Sequence, residues 1–135
     1  MKILIMGLPG SGKTHLAERL QKRLDNCAWF NADKIREMSD DWDFTPDGRQ
    51  RQSFRMAALA MFESEQGRKV ICDFVCPTKL TRNIFNPDIT IWMDTIEEGR
   101  FEDTNKMFEK PTNADYHFTH WLSDKDIEAL ANEIS

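Results

Sequence analysis

The chain has 135 residues, 40% of them hydrophobic and 30% charged, with a formal net charge of −5 and a pI near 5.2. This length fits one domain, able to bury roughly 65–70% of its unfolded surface, and the acidic balance disfavours a broad nucleic-acid face, which needs clustered lysine and arginine. Cys27, Cys72 and Cys76 are odd in number and read as free thiols of a reducing compartment; no run approaches the ~20 apolar residues of a membrane span, and the N-terminal apolar run is only a strand long, so the expected location is the cytoplasm.

Lys2–Met6 is predicted as the first strand. Residues 7–14 follow as Gly-Leu-Pro-Gly-Ser-Gly-Lys-Thr, a complete phosphate-binding loop of the form G-x-x-x-x-G-K-[ST] (the Walker A pattern). Gly7, Gly10 and Gly12 allow the backbone to curl so that successive N–H groups point inward at an anion, with Leu8, Pro9 and Ser11 completing the loop. A helix beginning near Gly12 or Lys13 adds its dipole. Lys13 is placed to bridge the β- and γ-phosphates and Thr14 to set its hydroxyl on Mg²⁺. A nucleoside triphosphate with Mg²⁺ is therefore the expected ligand.

Leu16, Ala17, Leu20 and Leu24 give the first helix one apolar face. Ala28–Asn31 reads as a second strand and Asp33 to Met38 as a helical turn. Asp33, at the strand's end, suits an acceptor hydroxyl or a water-held Mg²⁺, or alternatively an N-cap. After a polar loop, Thr45 can cap a helix with Pro46 in its first turn. Phe54, Ala57, Ala58, Met61 and Phe62 recur at helical spacing and predict its buried face; Gly67 ends it.

Lys69–Phe74 is the third strand. Asp73 near its end resembles the acid that closes a Walker B strand and is a candidate Mg²⁺ ligand, directly or through water. Thr78–Phe85 can form a helix, Ile89–Met93 a fourth strand closing on Asp94, and residues 95–108 a further helix interrupted by Gly99. Asp115–Phe118 reads as a weak fifth strand, and Ser123 with Asp126 as a capping box for a last helix through Ile134. Such alternation implies a parallel sheet with helices on both faces, ligands lying beyond the strands' carboxyl ends. The fold class is thus a three-layer α/β/α P-loop fold with five parallel strands, for which the nucleotide-kinase order 2-3-1-4-5 is the expectation.

Phosphoryl transfer needs positioning and charge neutralisation more than covalent chemistry. Arg36, Arg49, Arg51, Arg55 and Arg82 form a basic reservoir whose planar forks suit phosphate oxygens. Arg100, Lys106 and Lys110 fall where a mobile lid belongs. Phe44 and Trp42 are candidates for stacking on a flat substrate.

These segments, over about residues 1–118 and in the same order, resemble the adenylylsulfate kinases (APS kinases), which phosphorylate the 3′-hydroxyl of adenosine 5′-phosphosulfate with Mg-ATP. Residues 30–36, Phe-Asn-Ala-Asp-Lys-Ile-Arg, are similar to the family's L-D-G-D-N-V-R, with Asp33 and Arg36 on functional positions and Asn31 where the family has an aspartate. Trp42-Asp43-Phe44-Thr45 with Arg49 and Gln52 resembles L-G-F-S…D-R-x-x-N. Phe74-Val75-Cys76-Pro77 with Arg82 resembles F-I-S-P-x-x-x-x-R. The resemblance implies that Arg36, Phe44, Arg49, Gln52, Phe74, Cys76, Pro77 and Arg82 line the acceptor site. Asp73 has no acidic counterpart there.

The lid departs most: residues 103–107 run almost at once into Phe108-Glu109-Lys110-Pro111, which resembles Y-E-x-P, and the family phenylalanine that packs on the substrate base is missing. Short chains of this pattern are familiar from bacteriophage genomes. The expectation is one kinase domain over residues 1–135 with a shortened lid around 100–114, acting on adenosine 5′-phosphosulfate or a related small anionic or nucleotide acceptor. A non-catalytic ATP-binding switch module and a polynucleotide 5′-end kinase are the alternatives.

Overall fold

Five short parallel strands and the helices between them fix where the site lies. The structure is a computed structural model describing residues 1–135. In chain order the elements are β1 (Lys2–Met6), α1 (Lys13–Arg23), β2 (Cys27–Asn31), α2 (Ala32–Ser39), α3 (Pro46–Glu65), β3 (Lys69–Asp73), α4 (Lys79–Phe85), β4 (Ile89–Met93), α5 (Glu102–Met107), β5 (Tyr116–Phe118) and α6 (Asp124–Ile134). All strand pairs are parallel, as the alternation predicts, and the sheet order is the expected β2-β3-β1-β4-β5.

Successive side chains of a strand point to opposite faces, so β1 feeds two cores. Ile3 and Ile5 join Leu16, Leu20 and Ile127 on the face covered by α1 and α6. Leu4 and Met6 join Met56, Ala60 and Phe85 on the face covered by α3 and α4. All these residues are fully buried, and each of the larger ones is worth about 1.5–3 kcal/mol of hydrophobic stabilisation. The helix starts follow their sequence signals. Thr45 accepts from the Gly48 N–H at the head of α3, and Ser123 with Asp126 closes a capping box on α6. No helix is long and apolar enough to cross a membrane.

Two expectations are corrected. The buried row of α3 is Arg49, Gln52, Ser53, Met56, Ala60 and Glu63, whereas Phe54, Met61 and Phe62 are 60%, 53% and 63% exposed. Polar bonds fix the rotation: Gln52 donates to the Ala32 carbonyl at 3.1 Å and Glu63 accepts twice from Arg68 at 2.9 Å. Small and flexible residues (Ser53, Met56, Ala60) meanwhile let the helix approach the sheet.

Residues 95–108 are helical only over Glu102–Met107. Thr95 donates to the Ser11 carbonyl at 2.8 Å, and Asn105 clasps Gly99 through two bonds of 2.8 and 2.9 Å. These partners, one across the fold and one within the segment, replace the helical ladder before residue 102.

Candidate active site

The carboxyl ends of β1, β2 and β3 open into a cavity of about 1140 Å³. One wall is the phosphate loop, contributing Pro9, Gly10, Gly12, Lys13 and Thr14; Gly7, Leu8 and Ser11 are buried beneath. Gly12 is the N-cap of α1 with φ +97°, and no side chain caps the helix. Its first N–H groups are thus left for an anion.

Lys13 is half-buried and donates to the Leu8 carbonyl at 2.9 Å. Burial lowers its pKa to about 8, against the opposing pull of the Asp73 and Asp33 carboxylates. A lysine held so close to losing its charge gains from an arriving polyanion.

Asp73 is 2% exposed at the end of β3. Its Oδ2 accepts from Thr14 Oγ1 at 2.9 Å and from Asn31 Nδ2 at 3.1 Å, and its Oδ1 from Trp29 Nε1 at 2.7 Å. Burial raises its pKa against these hydrogen bonds and the Lys13 charge. Asn31 also donates to Thr14 Oγ1 at 3.2 Å. A hydroxyl and a carboxylate suit a small hard cation that keeps waters and phosphate oxygens for its other positions, while the Asn31 amide presents its N–H groups here because its carbonyl is engaged by the Lys34 N–H.

Asp33 is exposed on the same cavity. It is not the helix cap: Asn31 caps α2, accepting from the Lys34 N–H at 3.1 Å. The Asp33 carboxylate is thereby left free at the wall.

Phe44, Arg49 and Phe74 line the wall opposite α1, with Arg100, Phe101, Asp103, Thr104 and Met107 from the segment around α5. Phe44 is 48% exposed, with the Arg36 guanidinium 4.4 Å and the Arg49 guanidinium 5.3 Å from its ring centre. Arg49 donates to the Phe44 carbonyl at 3.2 Å and to Thr104 Oγ1 at 2.6 Å, tying the acceptor wall to α5. Arg36, Gln52, Cys76 and Pro77 instead line a side recess of about 50 Å³ that shares Asp33, Phe44, Arg49 and Phe74 with the main cavity.

The arginine reservoir divides. Arg36 is buried and donates to the carbonyls of Asp41 and Asp43 at 2.8 and 3.2 Å. Arg51 and Arg55 pair with Asp41 at 2.7 and 2.8 Å, which holds that carboxyl far below the usual carboxylate range. Arg82 does not reach the cavity, contrary to expectation. Its guanidinium is bound by the carbonyls of Cys76, Pro77 and Glu109 at 3.0, 3.2 and 2.5 Å, where it anchors the segment after α5. Lys106 also lies outside the cavity, paired with Glu102 at 3.3 Å. Asp94 makes a 2.8 Å bond with His117, and that ring stacks on Trp92 at 4.0 Å.

Sequence reasoning passed over Trp121. It follows β5, is 51% exposed, and lines the cavity beside Gly12 and His15. The available signal was an aromatic residue in a polar loop just before the capping box of the last helix.

An AAA domain model matches residues 3–102. The chain belongs to this AAA domain family. A probable adenylyl-sulfate kinase of Aeropyrum pernix is 34% identical over 91 residues, covering 61% of this chain and 48% of the relative, so the match spans about half the relative's length. Among solved structures, that of APE1195 superposes with a TM-score of 0.79 at 25% identity, covering 99% of this chain and 94% of the other. The Mycobacterium tuberculosis APS kinase CysC in complex with AMPPNP and APS gives a TM-score of 0.78 at 19% identity, covering 98% and 94%. Shikimate kinase from Aquifex aeolicus gives 0.68 at 14%, covering 99% and 96%. The fold of this chain is that of P-loop kinases.

Proposed function

We propose that this chain is an ATP-dependent small-molecule kinase, transferring the γ-phosphate of Mg-ATP to the 3′-hydroxyl of adenosine 5′-phosphosulfate. One observation carries this reading: the phosphate loop and the free carboxylate of Asp33 share a single cavity with Phe44 and Arg49. Donor and acceptor chemistry therefore meet in one space. The alignment with an adenylyl-sulfate kinase supports the choice of acceptor.

In this account residues 1–135 act as one domain with a short lid around 100–114. The loop N–H groups and Lys13 hold the triphosphate. Thr14 and Asp73 would hold Mg²⁺, which neutralises charge on the phosphates when bound. Asp33 orients the acceptor hydroxyl and takes its proton as the oxygen attacks phosphorus. Phe44 presents a flat face to the acceptor, and Arg49 and Arg100 supply positive charge at the cavity wall. Arg36, Gln52, Phe74, Cys76 and Pro77 shape the recess behind it. Buried, unpaired thiols at Cys27, Cys72 and Cys76 fit a reducing cytoplasm.

The test is an acceptor panel: adenosine 5′-phosphosulfate, shikimate, gluconate, nucleosides and a 5′-hydroxyl oligonucleotide, each with Mg-ATP, with ADP and phosphorylated product separated by chromatography. Product from adenosine 5′-phosphosulfate supports the reading. Product from another acceptor alone keeps the kinase and overturns the substrate. ATP binding with no transfer to any acceptor favours a non-catalytic switch module.

A further inference from the structure

We infer that Trp121 is the platform on which the donor nucleotide's base stacks. The inference rests on the reading of the phosphate loop as the triphosphate site. Trp121 is a large aromatic side chain left half exposed at the cavity, on the wall that also carries Gly12, Lys13, Thr14 and His15. A β-carbon added at Gly12 would meet the Trp121 ring at 3.1–3.2 Å, so the indole lies directly against the head of α1. The His15 ring meets it edge-on, with centroids 5.0 Å apart.

The loop is read from Gly7 to Thr14, and α1 continues it into His15. A nucleotide whose phosphates follow the loop N–H groups leaves it with its sugar and base near His15. There the cavity offers the indole face, held on one side by Gly12 and His15.

No carboxylate or side-chain amide lines this wall. Those that line the cavity, Asn31, Asp33, Asp73 and Asp103, come from β2, α2, β3 and α5. Stacking engages any base through its π-face and discriminates weakly between bases. The site is therefore one that accepts GTP about as well as ATP.

The experiment measures binding by calorimetry to the full chain, with Mg-ATP, Mg-GTP and magnesium tripolyphosphate as probes. Trp121→Ala is expected to weaken ATP and GTP by at least about 5-fold, within the roughly 5- to 150-fold range for losing one base–aromatic stack, while tripolyphosphate binding changes by less than about twofold. Trp121→Phe, which keeps a ring, is expected to retain most of the affinity. Equal losses for ATP and tripolyphosphate in both variants would mean that the indole only props Gly12, and would overturn the proposal. Unchanged ATP binding in Trp121→Ala would overturn it too, as would a tenfold preference of the unaltered protein for ATP over GTP. The readout is binding, so a protein that stacks nucleotides on Trp121 yet transfers phosphate to nothing would refute the kinase reading and leave this one standing.

Discussion

Asn31 and Asp73 are register partners across β2 and β3, and the Asn31 amide donates to the Asp73 carboxylate at 3.1 Å. In the adenylylsulfate kinase pattern the acid stands on the first of these two positions; here it stands on the second, within reach of the same Thr14 hydroxyl. The charge has moved one strand along the sheet. Asp73→Asn is expected to lower kcat by roughly 10²-fold, comparable to losing one group that stabilises transferred charge. Adding Asn31→Asp to that variant is expected to recover a large part of the loss. Asn31→Asp alone sets two carboxylates side by side and forces one to stay protonated. Steady-state kinetics of the three variants against magnesium concentration check this; a double variant no better than Asp73→Asn would refute the exchange.

Arg49 joins the acceptor wall to α5 through its 2.6 Å bond to Thr104. Thr104→Val keeps the shape and removes the acceptor oxygen. A hydrogen bond to a charged group is worth about 1.5 kcal/mol or more, so the acceptor KM is expected to rise roughly 10-fold. The ATP dissociation constant should stay within about twofold, because the phosphate loop lies on another wall. A larger change for ATP than for acceptor would contradict this placement.

All three thiols are buried and protected. Burial pushes Cys27 up to about 11 and Cys76 up to about 12, and raises Cys72 as well. Thiolate is the reactive form, so at pH 8 the folded protein should react slowly with a disulfide reagent, and the denatured chain should release three equivalents. The pH dependence has a definite sign. Above the ordinary value of 9.0 the unfolded chain gives up the Cys27 proton while the folded one keeps it until about 11. The native state then holds more protons, and this contribution to stability, full below pH 9, is lost as pH rises through 11. Denaturant midpoints between pH 8 and 11 measure it.

Gly48 is buried in the first turn of α3, and a β-carbon there would overlap the Asp43 carbonyl. Gly48→Ala forces the loop 40–45 away from the helix, with an expected cost of about 2 kcal/mol, typical of overpacking. That corresponds to a fall of roughly 7 °C in melting temperature for a domain of this size. An unchanged melting curve would show that the loop yields freely.

The strand positions, the phosphate loop and the helix caps were legible because each is a local signal: alternating apolar runs, a glycine pattern, a hydroxyl before a proline. The rotation of α3 was not. Its apolar residues fall on one row and its buried ones on another, and the Gln52 bond to Ala32, 20 residues back, together with the Glu63–Arg68 pair at the helix end, fixes which row turns inward. Arg82 shows the same limit. Its spacing from Pro77 places it near the site, but the Glu109 carbonyl that takes its guanidinium lies 27 residues on. Trp121 carried no motif and became visible only where the chain returns beside Gly12.

The most direct test of the account is steady-state turnover of Mg-ATP with adenosine 5′-phosphosulfate, ADP and nucleotide product being quantified together and Lys13→Ala serving as the control. The account predicts ADP and 3′-phosphoadenosine 5′-phosphosulfate in equal amounts, and a fall of at least ~10²-fold in the variant, the scale of losing one transition-state donor. ADP without the 3′-phosphorylated product, or turnover unaffected by Lys13→Ala, would contradict it.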